Sequence, residues 1–202
     1  MDALILCGGQ GKRMSQDIPK ALVEVNGKSL LQRQIEYIKP YVDNIVLATG
    51  YKSDMIKERF KDCIISEEIE PLGTGGAIRN AMKYIKNGTF LVINVDDLAN
   101  VNLNKLKRAT KPTIVLGRFR SPFGIVRTRG DEILRFEEKP LMRGWCSIGW
   151  YLLTREMTGL LPEKGSLEKE VFPKIKLKCL KHKGYWFPVN DEKQKQEAEE
   201  FI

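Results

Sequence analysis

The chain has 202 residues, 42% hydrophobic and 30% charged, with 34 Lys plus Arg against 26 Asp plus Glu for a formal net charge of +8. That length suits one medium domain with a real core, and no apolar run nears the roughly 18 residues of a membrane span. The basic excess favours polyanionic partners, but it is spread out with no arginine-rich arm or RNA-reading aromatic motif, which sets nucleic acid aside and leaves nucleotide phosphates or a solvated lysine-rich surface.

Residues 3–7 form a continuous apolar run that ends in Gly8-Gly9, the pattern of a buried strand. No secretory signal precedes it, and Cys7, Cys63, Cys146 and Cys179 show neither metal nor redox spacing, so a reduced, cytoplasmic protein is expected. The pattern then predicts a short strand over 21–25, a turn at Asn26-Gly27, and a helix from a Ser29 cap to Lys39, stopped by Pro40. Strands over 44–49, 64–66, 89–95 and 113–117 alternate with helices over 53–60, 75–85 and 103–109. That rhythm indicates an α/β fold, doubly wound on a mainly parallel, Rossmann-like sheet.

Beyond Phe119 the rhythm changes. Residues 123–127 and 133–138 flank Thr128-Arg129-Gly130-Asp131 as a β-hairpin, followed by a strand over 147–154 and a short helix over 166–172. Short strands over 178–181 and 185–189 precede a closing helix over 191–201. One domain spanning 1–202 is expected, with the phosphate machinery in 1–118 and a more antiparallel lobe in 119–202.

Gly8-Gly9-Gln10-Gly11-Lys12-Arg13 directly follows the first strand. Glycines there let backbone N–H groups approach phosphate oxygens. A dinucleotide fingerprint started at Gly9 would need Gly or Ala where Met14 stands, and Asp17-Ile18-Pro19 prolongs the loop where a helix should open. Arg13 and Lys20 bracket the loop, a fork-shaped cation and a point charge suited to a triphosphate.

These residues carry a resemblance to the sugar-1-phosphate nucleotidyltransferases, the NDP-sugar pyrophosphorylases. Residues 6–14 resemble the family's signature loop, Pro19-Lys20-Ala21-Leu22 its lysine segment, and Asn26-Gly27-Lys28-Ser29-Leu30 the turn that follows. Residues 70–77, Glu-Pro-Leu-Gly-Thr-Gly-Gly-Ala, look like the subgroup that acts on mannose- or heptose-type 1-phosphates. Phe136-Glu137-Glu138-Lys139-Pro140 is similar to the acceptor-side motif.

The resemblance implies transfer of NMP from an NTP to a sugar 1-phosphate, giving an NDP-sugar and pyrophosphate. Cys7, Gly8, Gly9 and Gly11 would wrap the nucleotide phosphates, with Arg13 on the β- and γ-phosphates. Lys20 would lie by the acceptor phosphate or the α-phosphate, and Gly73, Thr74 and Gly76 against the base. In an antiparallel acceptor-binding lobe, Gly124, Glu138 and Lys139 would hold the sugar phosphate, with Gly149 near the sugar ring. Arg13, Lys20 and Asp96 form the implied catalytic set.

Asp96 ends a buried strand, where open α/β sheets place ligands. The family carries Asn-Gly-Asp there and binds Mg²⁺ through the aspartate, whereas this chain reads Asn94-Val95-Asp96-Asp97. Asp97 is the nearby alternative, or a helix cap. Many members supply a second ligand from Trp-x-Asp-x-Gly, but here Pro188 takes the aspartate's place. Asn190 is the implied replacement, with Asp191 as second candidate. No membrane partner is expected, and a homo-oligomer is allowed for. Two rival readings share the loop: a nucleotidyltransferase with a non-sugar phosphorylated acceptor, and a noncatalytic nucleotide-binding relative, for which Val95 and Pro188 in the metal region speak.

Overall fold

The computed structural model describes residues 1–11, 13, 14 and 17–202; Lys12 of the glycine motif lies outside the described residues. The first half supplies β1 (Asp2–Leu6), a ribbon of β2 (Glu24–Val25) and β3 (Lys28–Ser29), then α1 (Leu30–Ile38), β4 (Ile45–Thr49), α2 (Ser53–Arg59) and β5 (Ile64–Glu67). It continues through α3 (Gly73–Ala81), β6 (Thr89–Asn94), β7 (Asp97–Ala99), α4 (Leu103–Leu106) and β8 (Thr113–Gly117). The second half adds β9 (Ile125–Arg129), β10 (Glu132–Glu137), β11 (Cys146–Thr154), β12 (Lys178–Lys181), β13 (Trp186–Pro188) and α5 (Glu192–Phe201).

Seven strands form the central sheet in the order β12-β8-β11-β6-β1-β4-β5. β1 pairs in parallel with β4 and β6, β4 with β5, and β12 with β8, while β11 runs antiparallel to both of its neighbours. The fold is therefore α/β on a mainly parallel sheet. β11 and β12 of the second half lie inside that sheet; β9 and β10 form a separate antiparallel ribbon, and β13 pairs with β7 outside the central sheet.

Alternation along the strands sorts their side chains onto two faces. Ala3, Ile5, Leu47, Leu91, Ile93, Trp150 and Leu152 pack with Leu30, Leu31 and Ile38 of α1. Leu4, Val46, Phe90, Val92, Tyr151 and Leu153 pack with Ile78 and Ala81 of α3 and with Leu167 and Val171. Both faces are covered, which explains strands that read as unbroken apolar runs.

Several local expectations shift. Residues 20–22 are a 3-10 turn, because Pro19 enters it in an extended conformation, and only Glu24 and Val25 remain as strand. α3 opens at Gly73 rather than Gly75, and residues 167–171 form a π-type turn capped by Ser166. β7 comes where no strand was expected: Asp97–Ala99 pairs antiparallel with β13, a long-range partner 89 residues away at the Trp186–Asp97 hydrogen bond.

Candidate active site

The chain passes from β1 to β4 and β5 on one side, then returns to β6 on the other, so β1 and β6 flank the switch point of the sheet. Ligands of open α/β sheets bind there, beyond the carboxyl ends of the strands. A cleft of about 710 Å³ opens at this place, within the size range of small-molecule sites. Gly8, Gly9 and Gln10 after β1, Glu68–Pro71 after β5, Gly73, Thr74 and Ala77 of α3, and Asn94 and Asp96 at the end of β6 line it.

The loop after β1 is held by its ends. Cys7 N–H donates to the Ala48 carbonyl (2.9 Å), and Lys20 N–H to the Gly9 carbonyl (3.2 Å). Across the cleft, the Asp17 carboxylate accepts from Tyr51 Oη (2.5 Å) and pairs with Lys52 Nζ (2.7 Å). Among the described residues, the N–H groups of Gly8, Gly9, Gln10 and Gly11 have no hydrogen-bond partner. Successive N–H groups left free in a loop can make an anion-binding concavity. Burial pushes the Cys7 thiol pKa well up, so Cys7 is a core residue whose side chain is no nucleophile. Arg13 is exposed.

Lys20, Asp96 and Asn190 converge although 76 and 170 residues separate the lysine from its partners. The Lys20 ammonium forms an ion pair with Asp96 Oδ2 and donates to Asn190 Oδ1 at 2.8 Å. Asn190 arrives there because Val189 N–H donates to the Asp96 carbonyl (2.8 Å) at the end of the β7–β13 ribbon. Asp191 is occupied elsewhere, capping α5 through Gln194 N–H (2.8 Å). Val95 buries its side chain in the core, so replacing glycine leaves Asp96 at the strand end.

Asp97 points the other way. Its carboxylate, 9% exposed, accepts from Trp186 Nε1 (2.8 Å) and Asn94 Nδ2 (3.2 Å), while its carbonyl accepts from Gln34 Nε2 and Trp150 Nε1, both at 2.9 Å. Burial, with the Asp96 charge beside it, pushes the Asp97 pKa up to about 7. Asp97 fastens the β6–β7 loop to β13; the helix cap belongs to Asn102, which receives Lys105 N–H.

The remaining expected residues fall in three places. Gly73 and Thr74 line the cleft. Gly76 is buried instead against residue 163, where a Cβ would lie 2.5 Å from the Glu163 carbonyl oxygen. The Thr74 hydroxyl donates to Glu168 (2.7 Å) and accepts from Leu167 N–H (2.9 Å). Gly124 and Glu138 meet on the exposed ribbon, with Glu138 Oε2 3.0 Å from where a Gly124 Cβ would be, and Lys139 Nζ lies 4.0 Å from Glu138 Oε1. Gly149 is buried at φ +68°, and a Cβ there would collide with Asp97 Oδ2 at 1.9 Å. Its lack of a side chain makes room for the Asp97 clasp.

Sequence reasoning missed Glu68. Its carboxylate follows β5, lies against Gly8 and Gly50, and accepts from Leu72 N–H (3.2 Å); burial raises its pKa above the ordinary value. The available signal was an acidic residue just past a buried strand's carboxyl end.

The sheet order, the switch-point cleft and the unpartnered loop N–H groups define a nucleotide-phosphate-binding α/β protein. Residues 3–121 match the model of the MobA-like NTP transferase domain. The chain is 35% identical to D-glycero-alpha-D-manno-heptose 1-phosphate guanylyltransferase of Campylobacter jejuni, over 94% of each chain. It is 30% identical to mannose-1-phosphate guanyltransferase beta-A of Xenopus laevis, over 96% of this chain and 62% of that one. Among solved structures, HddC from Yersinia pseudotuberculosis complexed with GMP-PN superposes with a TM-score of 0.79 at 30% identity, covering 98% of both chains. The chain belongs to the sugar-1-phosphate nucleotidyltransferases, within the MobA-like NTP transferase domain family.

Proposed function

We propose that this chain is a guanylyltransferase, moving GMP from GTP onto a mannose- or heptose-type sugar 1-phosphate with release of pyrophosphate. Nucleotide-sugar formation is the activity of its family relatives; the choice of guanine rests on Glu68. A carboxylate offers acceptors only. Guanine presents two adjacent donors, N1–H and N2–H₂, whereas uracil and thymine present one donor between two acceptors that a carboxylate repels. Glu68 lines the cleft together with Leu6, Ala48, Ile69 and Pro71, whose apolar surfaces suit the faces of a base.

The reaction needs no covalent enzyme intermediate. A sugar phosphate has a second pKa of about 6 and is already an anionic nucleophile at neutral pH. Repulsion between two polyanions and charge on the departing pyrophosphate oppose transfer, and cations with fixed N–H donors answer both. The Gly8–Gly11 amides and Arg13 would take the triphosphate, and Lys20 would stand between the acceptor phosphate and the α-phosphate. Glu138 and Lys139, beside Gly124, would hold the acceptor.

Asp96 and Asn190 present a carboxylate and an amide oxygen to one ammonium group. An oxygen-only pair that already holds one cation fits a hard divalent ion sharing its shell with phosphates and water. These two residues would hold Mg²⁺, which when bound supplies positive charge to the phosphate oxygens. Among the described residues no cluster of three or more His, Cys, Asp or Glu side chains forms a metal cage, and no helix is long and apolar enough to cross a membrane.

The test is pyrophosphate release from GTP, ATP, CTP and UTP against a panel of sugar 1-phosphates. GTP should exceed the other nucleotides by more than ~100-fold in kcat/KM, as expected where buried polar groups reject a mismatched edge. Glu68→Gln should erase most of that preference. Comparable turnover with UTP or CTP in the native protein would sink the guanine assignment while leaving nucleotidyl transfer intact.

A further inference from the structure

A lysine ammonium has three donors and no acceptor. On Lys20, two of them go to Asp96 Oδ2 and Asn190 Oδ1, the two oxygens proposed to hold Mg²⁺; among the described residues the third has no partner. The group is well enclosed, with the Lys20 side chain 13% exposed and that of Asp96 23%. Water screens little at such a site, and an ammonium and a divalent ion on one carboxylate repel strongly. Lys20 therefore takes the two oxygens that a divalent cation would need.

The oxygens are fixed in place, whereas the ammonium can swing. Val189 N–H donates to the Asp96 carbonyl (2.8 Å), and Asn190 N–H donates to Gln194 Oε1 of α5 (2.8 Å). Both holders are thus tied by their backbones. The Lys20 backbone is tied to the glycine loop instead: its N–H donates to the Gly9 carbonyl (3.2 Å), its stem packs on Gly11, and buried Ala21 and Leu22 follow it. Its four-carbon stem is flexible and carries a compact charge. The lysine is rooted beside the free N–H groups of residues 8–11 while its charge faces Asp96. A phosphate seated on those N–H groups would compete for the same ammonium through charge-assisted hydrogen bonds.

With Asp96 and Asn190 read as the metal holders, and whichever base the nucleotide carries, we propose that Lys20 is a built-in gatekeeper of the metal site. In the empty protein its ammonium neutralises Asp96 and keeps a divalent ion out. Nucleotide phosphates on the Gly8–Gly11 loop draw the ammonium away and free the two oxygens, so metal binding is coupled to nucleotide binding. The same swing brings Lys20 to the phosphates, where its part in the transfer lies.

Mn²⁺, an ion suited to carboxylate and carbonyl oxygens, is the probe. Its binding to the full chain without nucleotide is read from the electron paramagnetic resonance signal of the free ion. The native chain should bind it weakly. Lys20→Met and Lys20→Ala, both with a native circular dichroism melt, should bind it more tightly by on the order of 10–100-fold, as a unit charge at contact range shifts an ionic equilibrium. Adding Asp96→Asn to either variant should abolish the gain. A lysine that merely supports the fold would give the opposite sign, because its loss would weaken binding. Equal affinity in the native chain and both Lys20 variants, lost on adding Asp96→Asn, overturns the gate and leaves the metal site standing. No binding by either Lys20 variant overturns the gate and the metal site together.

Discussion

Gly9 and Gly11 stand two residues apart for different reasons. A Cβ on Gly9 would meet nothing within 4 Å, so the folded chain itself does not require glycine there. Gly11 has φ +64° and packs on Lys20, where a Cβ would lie 3.1 Å from the lysine Cβ. Gly9→Ala should therefore melt like the native protein while raising KM for the nucleotide, measured by pyrophosphate release. Gly11→Ala should lose about 1–2 kcal/mol of stability in urea titration. The adjacent aspartates diverge in the same way. Asp96→Asn should abolish Mg²⁺-stimulated turnover with an unchanged circular dichroism melt; a native rate would remove Asp96 from the catalytic set.

Asp97 makes a pH prediction of opposite character. Its folded-state pKa of about 7 lies above the 3.8 of an ordinary aspartate. Between those values the native protein holds a proton that the unfolded chain has shed. The stability it contributes is full below 3.8 and is lost as pH rises through about 7. Asp97→Asn, which keeps an acceptor for Trp186 and can donate to Asn94 once that side-chain amide flips to present its oxygen, should flatten the fall of Tm across that window. An unaltered Tm–pH profile would refute the assignment.

At the scale of elements, α3 depends on a clasp from outside the helix. Glu168 accepts from Thr74 Oγ1 (2.7 Å), Ser166 Oγ (2.8 Å) and Tyr151 Oη (3.3 Å), and Gly75 N–H donates to the Gly165 carbonyl (2.9 Å). The first turn of α3 is thus pinned to residues 165–168, which keeps Gly73 and Thr74 at the cleft wall. Glu168→Ala leaves three hydroxyls without their acceptor, and should raise KM for the nucleotide several-fold with kcat less affected. Glu168→Gln, which retains one acceptor oxygen, should recover part of that loss. Equal KM values in both variants and the native chain would show that the clasp is not needed.

At the scale of the whole molecule, the two halves of the sequence share one sheet. β11 sits between β6 and β8, so β8 reaches the rest of the sheet only through a strand from the second half. A fragment of residues 1–118 would leave β8 without a neighbour and uncover the β6 edge. It should show no cooperative unfolding by circular dichroism; a cooperative melt would mean that the first half folds as its own unit.

Much was legible in the sequence because it depends on near neighbours. The apolar runs at 3–7, 44–49 and 89–95 are strands because both sheet faces are buried, and the Ser29 cap with Leu30, Leu31 and Ile38 makes α1 by local pattern. Gly8, Gly9 and Gly11 after a strand imply a phosphate loop for the same local reason. What pairs across the fold was not legible. Asp96 and Asp97 are chemically alike and adjacent, and only Trp186, Asn94 and the surrounding core draw one inward while Lys20 holds the other at the cleft. Asn190 and Asp191 are separated in the same way, by the β7–β13 ribbon and the α5 cap. The sequence by itself determined the α/β class and a glycine-rich loop after β1, since periodicity and backbone freedom are local properties. Tertiary structure alone decided which aspartate faces the cleft and that Glu68 lines it, since desolvation and partner choice exist only once distant strands have met.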